Sequence, residues 1–499
     1  MNITHFVDYL NKRKKLHIDT SYYANIDTWK DWWEGYVKNF HTIKETAVDG
    51  STISRDMASL RMAKQVCEDW ATLLLNDKTT VSLGDEASAQ WLLGNADQTG
   101  GVLRELRFWP EANRLVELAM RSGTGAFVMS VEGLQLANGA IQPSPKAVIR
   151  MDYNPAECIL PITVSHGVIR EVAFASAQTV NGLACIYLQT HRLVPHPDGG
   201  QQYRITNEYF TGENGDLDGT DFQPAPLPKG ILASIDTGSN IPWFSIFSPA
   251  VVKNLRGGPG LGMAVFSEAV AALCHVDLAF DNYDQDLFLG GKKVFYNKAL
   301  VRTWIDDNGR EHAVTPDQVR RQMFYQLPDE NPDAAADWHE YNPDLRVEAN
   351  GKAVQDALDY LSFKVGLGTR HYQFSGGNVT TATQYNGDRQ DMVQHANRHQ
   401  IQIEAALIQI FRAILWAGKT LLGQPVNPDT TITVQFDDSY ITDTETRRAL
   451  LKDDALQGLL PKYRYLMEAY GVSEEKAKAL VEEARLENQS EEPLSFGNG

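Results

Sequence analysis

The chain has 499 residues, of which 43% are hydrophobic and 22% are charged, so we expect a folded protein with more than one structural unit. Its formal net charge of -18 argues against tight DNA binding through neutralised phosphates, although it is compatible with a protein through which DNA passes. We expect neither a membrane span nor a signal peptide, because no apolar run reaches about 18 residues and the N-terminus lacks a continuous apolar segment.

Helical patterns dominate the N-terminal part of the chain. Residues 20–45 are dense in tyrosine, tryptophan and phenylalanine, and such a segment needs a surface to pack on. Amphipathic helices are predicted at 55–76 and at about 103–121, and Pro110 is expected to break or kink the second helix. A short strand is predicted between them, at 78–83.

The hydrophobic period changes to two at Gly125, which indicates strands. Glycine, proline, asparagine and aspartate separate five such segments, so we expect an antiparallel meander. Together with the preceding helices, the meander predicts an α+β unit over residues 1–250. The five predicted strands have the sequences GAFVMSVEG, KAVIRMDY, VIREVAFAS, ACIYLQTHRLV and YRITNEYF.

A long helix is predicted at about 263–289, directly after the turn GGPGLG. Apolar residues recur at intervals of three or four, which is close to a heptad seam, and the helix would span roughly 40 Å. A second stripe on the same helix is acidic, and the charge reverses just beyond the helix end. The seam consists of Phe266, Val270, Leu273, Val276, Phe280, Tyr283 and Leu287; the acidic stripe is Asp277, Asp281 and Asp284; the basic pair is Lys292 and Lys293.

The acidic stripe has three interpretations from the sequence. It could be a solvated helix face, which is the usual role of such charges. It could bind magnesium, although ligands from a single helix rarely suffice. It could also face a channel, with the apolar seam packed on neighbouring helices.

A compact insert is predicted at 292–346, with strands in KKVFYN and RTWIDDNGREHAV and a helix in TPDQVRRQMFYQL. Two further helices are predicted, at about 348–368 and at 384–418. The sequence TTITVQF predicts a strand, and the tail from Thr442 is predicted to be helical and acidic.

The segment FSGGNVTTATQYN, residues 374–386, contains two glycines, three threonines and two asparagines and carries no charge. Glycine gives such a loop freedom to shift, and its polar side chains can form weak, sequence-independent hydrogen bonds to phosphate. An ordinary surface loop is the alternative.

Motifs for enzymatic chemistry are incomplete. AILWAGKT has Ala413 where a Walker A box needs glycine, and a helix precedes it, so a helix end capped by Gly418 is favoured. HANRH places His395 and His399 on one helix face, but Ala396 stands where a zinc protease has its glutamate, so a polar helix surface is favoured. GGPGLG lacks the strand that precedes a dinucleotide-binding loop, so dinucleotide binding is not favoured. No GxSxG motif is present. Carboxylates are plentiful, but no sequence feature selects one pair as the acid pair of a glycosidase.

The four cysteines are far apart and form no CxxC pair, which predicts buried, reduced thiols and assembly in the cytosol. They are Cys67, Cys158, Cys185 and Cys274.

Four segments, taken in order, resemble the portal proteins of tailed bacteriophages, of the kind found in siphophages of Gram-positive hosts. The first and second are similar to the family's N-terminal helix-plus-strand signature and to the turn that leads into its stem helix. The third is similar to the returning stem helix, and the fourth to the stretch before its spine helix, with Gln384 where glutamate is common. The segments are RDMASLRMAKQVCEDWATLLLNDKTTV, GGPGLGMAVFSEAVAALCHVDLAFDNYDQDLFLGGKKVF, EANGKAVQDALDYLSFKVGLG and TATQYNGDRQDMVQHANRHQ.

The resemblance implies an α+β portal fold that assembles as a ring, usually of twelve subunits, at one capsid vertex of the virion. The implied parts are a wing (1–250), stem helices (251–291 and 347–368), a clip (292–346), a tunnel loop with spine helix and wing return (369–437), and a crown (438–499).

The resemblance further implies that the terminase packages double-stranded DNA through the ring, that DNA is later ejected through it, and that the chain performs no bond chemistry. No cofactor, metal or membrane is implied. The implied partners are further copies of the chain, the large terminase subunit, a head-completion or adaptor protein, and the major capsid and scaffolding proteins, with assembly in the host cytoplasm.

Three sets of residues would then meet DNA. They are the tunnel loop with Gly376, Gly377, Asn378, Thr380, Thr381, Thr383 and Asn386; the acidic stripe Asp277, Asp281 and Asp284; and the basic belt Lys292 and Lys293. Another structural head-tail connector protein, or a DNA-handling enzyme, is the alternative function.

Overall fold

The computed structural model describes most of the chain, and every statement on structure below refers to that part. The described residues are 3–46, 49–95, 99–137, 140–144, 146–180, 182–212, 215–297, 303–313, 324–327, 338–374, 382–437, 444–470, 472 and 474–490. They form helices and mainly antiparallel sheets, which confirms the α+β class.

The N-terminal region is largely helical, as predicted, and its aromatic side chains pack inward. Tyr22, Tyr23, Trp29 and Trp32 are all buried, which gives residues 20–45 the surface that they need. The elements are α1 (Ile3–Lys14), α2 (Tyr23–Glu34), α3 (Lys38–His41), β1 (Thr42–Thr46), β2 (Thr52–Asp56), α4 (Met62–Leu74), β3 (Thr80–Leu83), α5 (Glu86–Leu93), α6 (Val102–Glu105) and α7 (Phe108–Ser122).

Two helix boundaries differ from the prediction. The helix predicted from residue 55 begins at Met62, because the residues up to Asp56 pair with β1 in an antiparallel hairpin. Pro110 lies in the first turn of α7, where no intrahelical N–H partner is required, and therefore does not kink the helix. The break falls earlier, between α6 and α7, where Arg107 has a left-handed backbone conformation.

The predicted strands form two sheets rather than one meander. A six-stranded sheet has the order β12-β11-β10-β9-β8, with β13 also paired to β11, and a three-stranded sheet has the order β14-β4-β7. The five predicted segments correspond to β4, β7, β9, β10 and β11. The strands of this region are β4 (Gly125–Glu132), β5 (Gln135–Ala137), β6 (Ala140–Gln142), β7 (Val148–Pro155), β8 (Ile159–Ser165), β9 (Val168–Val180), β10 (Leu183–Pro195), β11 (Gln201–Gly212), β12 (Phe222–Ala225), β13 (Ser234–Asp236) and β14 (Phe244–Phe247).

The long helix after GGPGLG is shorter than predicted. A 3-10 turn at Ser267–Ala269 precedes α8 (Val270–Leu289), so the helix spans about 30 Å. The residues before the turn pack into the body instead, and the backbone N–H of Val265 donates to the Met120 carbonyl at 2.8 Å. Leu273 and Val276 of the predicted seam are buried within the chain itself.

The insert carries short strands, and α9 (Val347–Lys364) returns after it. Strand β15 (Lys293–Asn297) lies between the parallel β18 (Phe324–Leu327) and the antiparallel β19 (Trp338–Tyr341). The end of the helix predicted in TPDQVRRQMFYQL is therefore a strand, and residues 315–323 lie outside the described part of the chain. A separate hairpin pairs β16 (Thr303–Ile305) with β17 (Glu311–Ala313).

Helix α10 (Ala382–Leu421) runs through the body, and β20 (Ile432–Gln435) then pairs with β3 near the start of the chain. By length and composition the segment Asp391–Leu421 could cross a membrane, but 56% of its most apolar window is buried in this chain. It is therefore a core helix, in one cluster with buried residues from Ile3 to Val434. The tail forms α11 (Thr444–Leu456), α12 (Lys462–Tyr470) and α13 (Glu474–Ser490).

One buried histidine makes the body sensitive to acid. His191 of β10 is enclosed by the rings of Phe174 and Phe244, and neither of its ring nitrogens has a hydrogen-bond partner. Burial lowers the pKa of His191 from 6.5 to about 3. The unfolded chain therefore binds a proton at His191 that the folded chain does not bind. The free energy of unfolding falls as the pH drops below 6.5, the pKa of the unfolded histidine, towards about 3, its pKa in the folded chain.

Replacing this histidine by phenylalanine tests the effect. Relative to wild type, the free energy of unfolding of His191→Phe should be about 2 kcal/mol more favourable to the folded state at pH 5 than at pH 7. Urea unfolding at the two pH values measures this difference. His166→Asn, at an exposed turn, is the control and should leave the pH dependence unchanged. An equal loss of stability in wild type and His191→Phe would contradict the assignment.

Candidate functional site

Helices α8 and α9 form an antiparallel hairpin that carries the predicted acidic stripe. Asp286 near the end of α8 contacts Arg346 and Asn350 at the start of α9, whereas His275 near the start of α8 lies against Tyr360. The Asp286 carboxylate accepts from the Arg346 backbone N–H at 3.0 Å and from its guanidinium at 2.7 Å. These hydrogen bonds from Arg346 lower the pKa of Asp286, so the hairpin is held together at its far end at neutral pH.

The turn at the base of the hairpin is fixed by the chain around it. Gly257 and Gly258 have φ values of 81° and 54°, and a Cβ on Gly258 would lie 2.4 Å from the Tyr22 ring. Lys253 Nζ donates to the carbonyls of both glycines, at 2.7 and 2.6 Å, and lies over the Tyr22 ring. Asp19 accepts from the Gly258 N–H at 3.1 Å. Glycine is thus required here both for backbone conformation and for close packing.

Asp277 is buried beneath the segment that follows the β1–β2 hairpin. Its side chain accepts from the Leu60 N–H at 2.9 Å and from the Ser59 hydroxyl at 3.0 Å. His41, which is also buried, lies with Nε2 at 3.1 Å from the same carboxylate. The residue is 4% exposed, and these contacts satisfy a carboxylate that burial would otherwise destabilise.

Asp281, one turn further along α8, binds the same segment. Arg55 donates from both guanidinium ends, at 2.8 and 2.9 Å, and the Ala58 N–H donates at 3.0 Å. Burial alone would raise the pKa of Asp281, but the hydrogen bonds from Arg55 and Ala58 outweigh it and lower the pKa. This bidentate ion pair positions both Arg55 and Asp281, because the planar guanidinium matches the carboxylate in one orientation.

The interpretation of the three aspartates as one channel-facing stripe is therefore wrong for two of them. Asp277 and Asp281 are buried within the chain, with exposed fractions of 4% and 3%, and they anchor residues 55–60 to α8. Asp284 is exposed and can face solvent or a channel. This anchor could not be predicted from the sequence, because the residues that contact the two aspartates lie more than 200 positions away along the chain.

Both lysines of the predicted basic belt contact their own chain. Lys292 forms an ion pair with Glu340 of β19 at 2.6 Å. Lys293 Nζ donates to the Leu289 carbonyl at 2.9 Å and lies over the Tyr341 ring. The lysines thus link the end of α8 to the insert. Their role towards DNA remains a prediction.

Most of the predicted tunnel loop lies outside the described part of the chain. This applies to Gly376, Gly377, Asn378, Thr380 and Thr381. Thr383 and Asn386 were assigned to the loop, whereas α10 begins at Ala382 and includes both positions. The helix thus starts inside the segment that was predicted to be the loop. Before the loop, the ring of Phe374 lies 5.8 Å from that of Tyr283 on α8.

The hairpin exposes apolar side chains on both of its helices. Large apolar side chains that stay exposed on one pair of helices indicate an interaction surface. The exposed residues, which we call the hairpin apolar face, are Leu278, Leu287, Phe288 and Leu289 on α8 and Val347, Tyr360 and Phe363 on α9.

Two positions from the enzyme-like motifs have structural roles. His399 was predicted on a polar surface but is buried, where its Nδ1 accepts from the Ala250 N–H at 2.9 Å and its ring lies against Trp70. Gly418 does not cap α10, which continues to Leu421; a Cβ there would lie 2.4 Å from the Trp91 ring. Within the described residues no group of histidine, cysteine and acidic side chains could hold a metal ion, and all four cysteines are free.

Comparison with known proteins adds one distant similarity. No family model and no curated protein matches the chain. Among solved structures, the chain is similar to a chain from the neck of an empty GTA particle computed with C6 symmetry. The two share 12% sequence identity with a TM-score of 0.36, over 82% of this chain and 88% of the other. A similarity this low does not show a shared fold, and no conclusion about this chain follows from it.

The buried carboxylates provide a direct test of the anchor. Asp281→Ala should lower the free energy of unfolding by about 3 kcal/mol, because it removes the buried acceptor of three hydrogen bonds from Arg55 and Ala58. Asp284→Ala, on the same helix but exposed, should change it by less than about 0.5 kcal/mol. Urea unfolding measures both values, and hydrogen exchange should show faster exchange at residues 55–60 in Asp281→Ala only. Equal effects of the two variants would contradict the anchor.

Proposed function

We propose that this chain is the portal protein of a tailed bacteriophage, which forms a ring at one capsid vertex. Double-stranded DNA would be packaged through this ring by the terminase and later ejected through it, and the tail or an adaptor would attach to it. The chain would perform no bond chemistry. The ordered resemblance of four sequence segments supports the family assignment.

The hairpin apolar face is the structural observation that supports the proposal most. In a ring, neighbouring hairpins stand side by side, and their exposed leucine and phenylalanine side chains become buried against the next copy. Burial of apolar surface stabilises such an assembly by roughly 25 cal/mol for each Å² removed from water. The anchor through Asp277 and Asp281 fixes the hairpin on the body, so that each copy presents the face in the same orientation.

The path of DNA follows from this arrangement. The hairpins would form the stem around the channel, with Asp284 facing the lumen and the pair Lys292 and Lys293 below it. The segment 374–386 would reach DNA as the tunnel loop. Repulsion between phosphates and exposed carboxylates acts within about 8 Å at physiological salt, so it would keep DNA mobile rather than bound.

The remaining parts would meet other proteins. The insert at 292–346 would form the clip, which binds the large terminase subunit during packaging and a head-completion or adaptor protein afterwards. Capsid and scaffolding proteins would contact the wing at 1–250. Twelve copies are expected by resemblance, with assembly in the host cytoplasm and a final location in the virion.

Assembly provides the first test of this proposal. Phe363 is 60% exposed on the hairpin apolar face, and Phe363→Glu should prevent ring formation because it places a charge in the interface. Leu183→Glu is the matched control, since Leu183 is 64% exposed on the body, away from the hairpin. Mass photometry of the purified proteins should show rings for wild type and for Leu183→Glu, and smaller species for Phe363→Glu. Rings of unchanged size and stability in Phe363→Glu would contradict the interface.

DNA passage provides the second test. Asp284→Lys should slow packaging several-fold, because it replaces repulsion of phosphate by attraction within the channel. The packaging rate is measured with proheads that contain the variant ring, with Asp284→Asn as the neutral comparison. A normal packaging rate in correctly assembled Asp284→Lys rings would show that Asp284 does not line the channel.

A further inference from the structure

A cavity of about 380 Å³ lies between the two sheets of the body. One wall is the six-stranded sheet, in which Tyr187 and Gln189 of β10 lie opposite Tyr209 and Asn207 of β11. The other wall is the three-stranded sheet, which contributes Asp152 of β7. Facing sheets normally fill the space between them with apolar side chains, whereas this cavity opens to solvent beside Glu132 and Arg150 and has a largely polar lining.

Most polar groups of the first wall are satisfied by one another. The Tyr187 hydroxyl donates to Asn207 Oδ1 at 2.8 Å, and Asn207 Nδ2 donates to the Leu232 carbonyl at 2.8 Å. The Tyr209 hydroxyl donates to Gln178 Oε1 at 3.0 Å. The two tyrosine rings are stacked, with centroids 4.9 Å apart. This wall is therefore a preorganised aromatic surface with its hydroxyl groups held in place.

Two groups that line the cavity have no such partners. Trp243 is 1% exposed, and its Nε1–H has no hydrogen-bond partner. Burial raises the pKa of Asp152, the charge of Glu132 raises it further, and no hydrogen bond from the described residues opposes these effects. Glu132 itself forms an ion pair with Arg150 at 3.1 Å, and Glu105 and Arg107 also line the cavity, so Asp152 is the carboxylate on the β7 wall that has no ion pair in the described part of the chain.

The charge of Asp152 also acts on the stacked rings of Tyr187 and Tyr209. After burial, which is the larger cause, this charge raises the pKa of both Tyr187 and Tyr209. The cavity thus combines the Asp152 carboxylate, two aromatic faces and one unpaired N–H donor, and its charged lining has three carboxylates against the two guanidinium groups of Arg107 and Arg150. A cation gains from a carboxylate in a desolvated place and from aromatic faces, and the N–H requires an acceptor on the same ligand.

We propose that this cavity binds a small organic cation, with an ammonium or guanidinium group paired to Asp152 and an acceptor atom or a bound water at Trp243 Nε1. The alkyl stem of the ligand would lie along the rings of Tyr187 and Tyr209. The cation could be a free polyamine or the side chain of a lysine or arginine from a bound protein. The proposal rests on the cavity alone and is independent of the portal function.

Binding to the full chain tests this proposal with two probes. Spermidine represents the free amine, and N-acetyl-lysine methylamide represents the protein side chain. Isothermal titration calorimetry and thermal unfolding should show saturable binding and a raised Tm for at least one probe. The tighter probe identifies the source. Asp152→Asn should weaken the affinity at least tenfold, whereas Asp198→Asn, at an exposed turn of the same sheet, should leave it unchanged.

A second variant keeps the test decisive if Asp152→Asn folds poorly. Ser130 also lines the cavity, and Ser130→Leu should fill it while leaving the Asp152 charge in place. Loss of binding in this variant supports the cavity as the site. If neither probe binds wild type, or if wild type, Asp152→Asn and Ser130→Leu bind equally, the proposal is overturned and the cavity holds only water.

Discussion

Two carboxylates of α8, buried beneath residues 55–60, hold the α8–α9 hairpin in place. Asp277 and Asp281 are one turn apart on α8, and together they accept hydrogen bonds from Arg55, Ala58, Ser59 and Leu60. Each carboxylate without these donors would carry the full cost of desolvation, which is several kcal/mol per ion. The pairing therefore acts as a positional constraint, since the helix and the segment can satisfy one another only in this register.

The hairpin depends on this constraint at one end and on Asp286 at the other. At its base the turn of Gly257 and Gly258 is held by Lys253 and Tyr22, so the chain enters α8 in a fixed direction. At its far end Asp286 joins α8 to α9 through Arg346. An apolar face on a hairpin that is held at both ends is suited to repeated contact between copies, because every copy presents it in the same orientation. The buried aspartates thus support the proposed ring, because they set the same hairpin orientation in every copy.

The periodic parts of the fold could be predicted from the sequence. Strands β9, β10 and β11 are rich in β-branched and aromatic residues and are bounded by turn residues, and α10 carries an apolar stripe long enough to identify it without knowledge of its partners. Boundaries failed where tertiary contacts override local preference. Residues 55 and 56 are predicted to begin a helix until their pairing with β1 is known, and α8 begins late because the Val265 N–H donates to the Met120 carbonyl instead.

The site was harder to predict than the fold. A stripe of aspartates on a helix predicts exposure, and only contacts across more than 200 residues show that two of the three are buried. No motif marks Arg55 or His41 as their partners. Local motifs likewise misplace His399 and Gly418, because their environments depend on residues distant in sequence: Trp70 and Ala250 for His399, and Trp91 for Gly418.

Cryo-electron microscopy of the assembled protein tests the central claim most directly, because it locates the α8–α9 hairpins relative to the symmetry axis. The account predicts closed rings in which neighbouring hairpins pack through Phe363 and its neighbours around a central channel. Asp277 and Asp281 should remain covered by residues 55–60, and Asp284 should face the lumen. Rings with the hairpins on the outer rim, or a folded protein that forms no ring at any concentration or with its capsid partners, would contradict it.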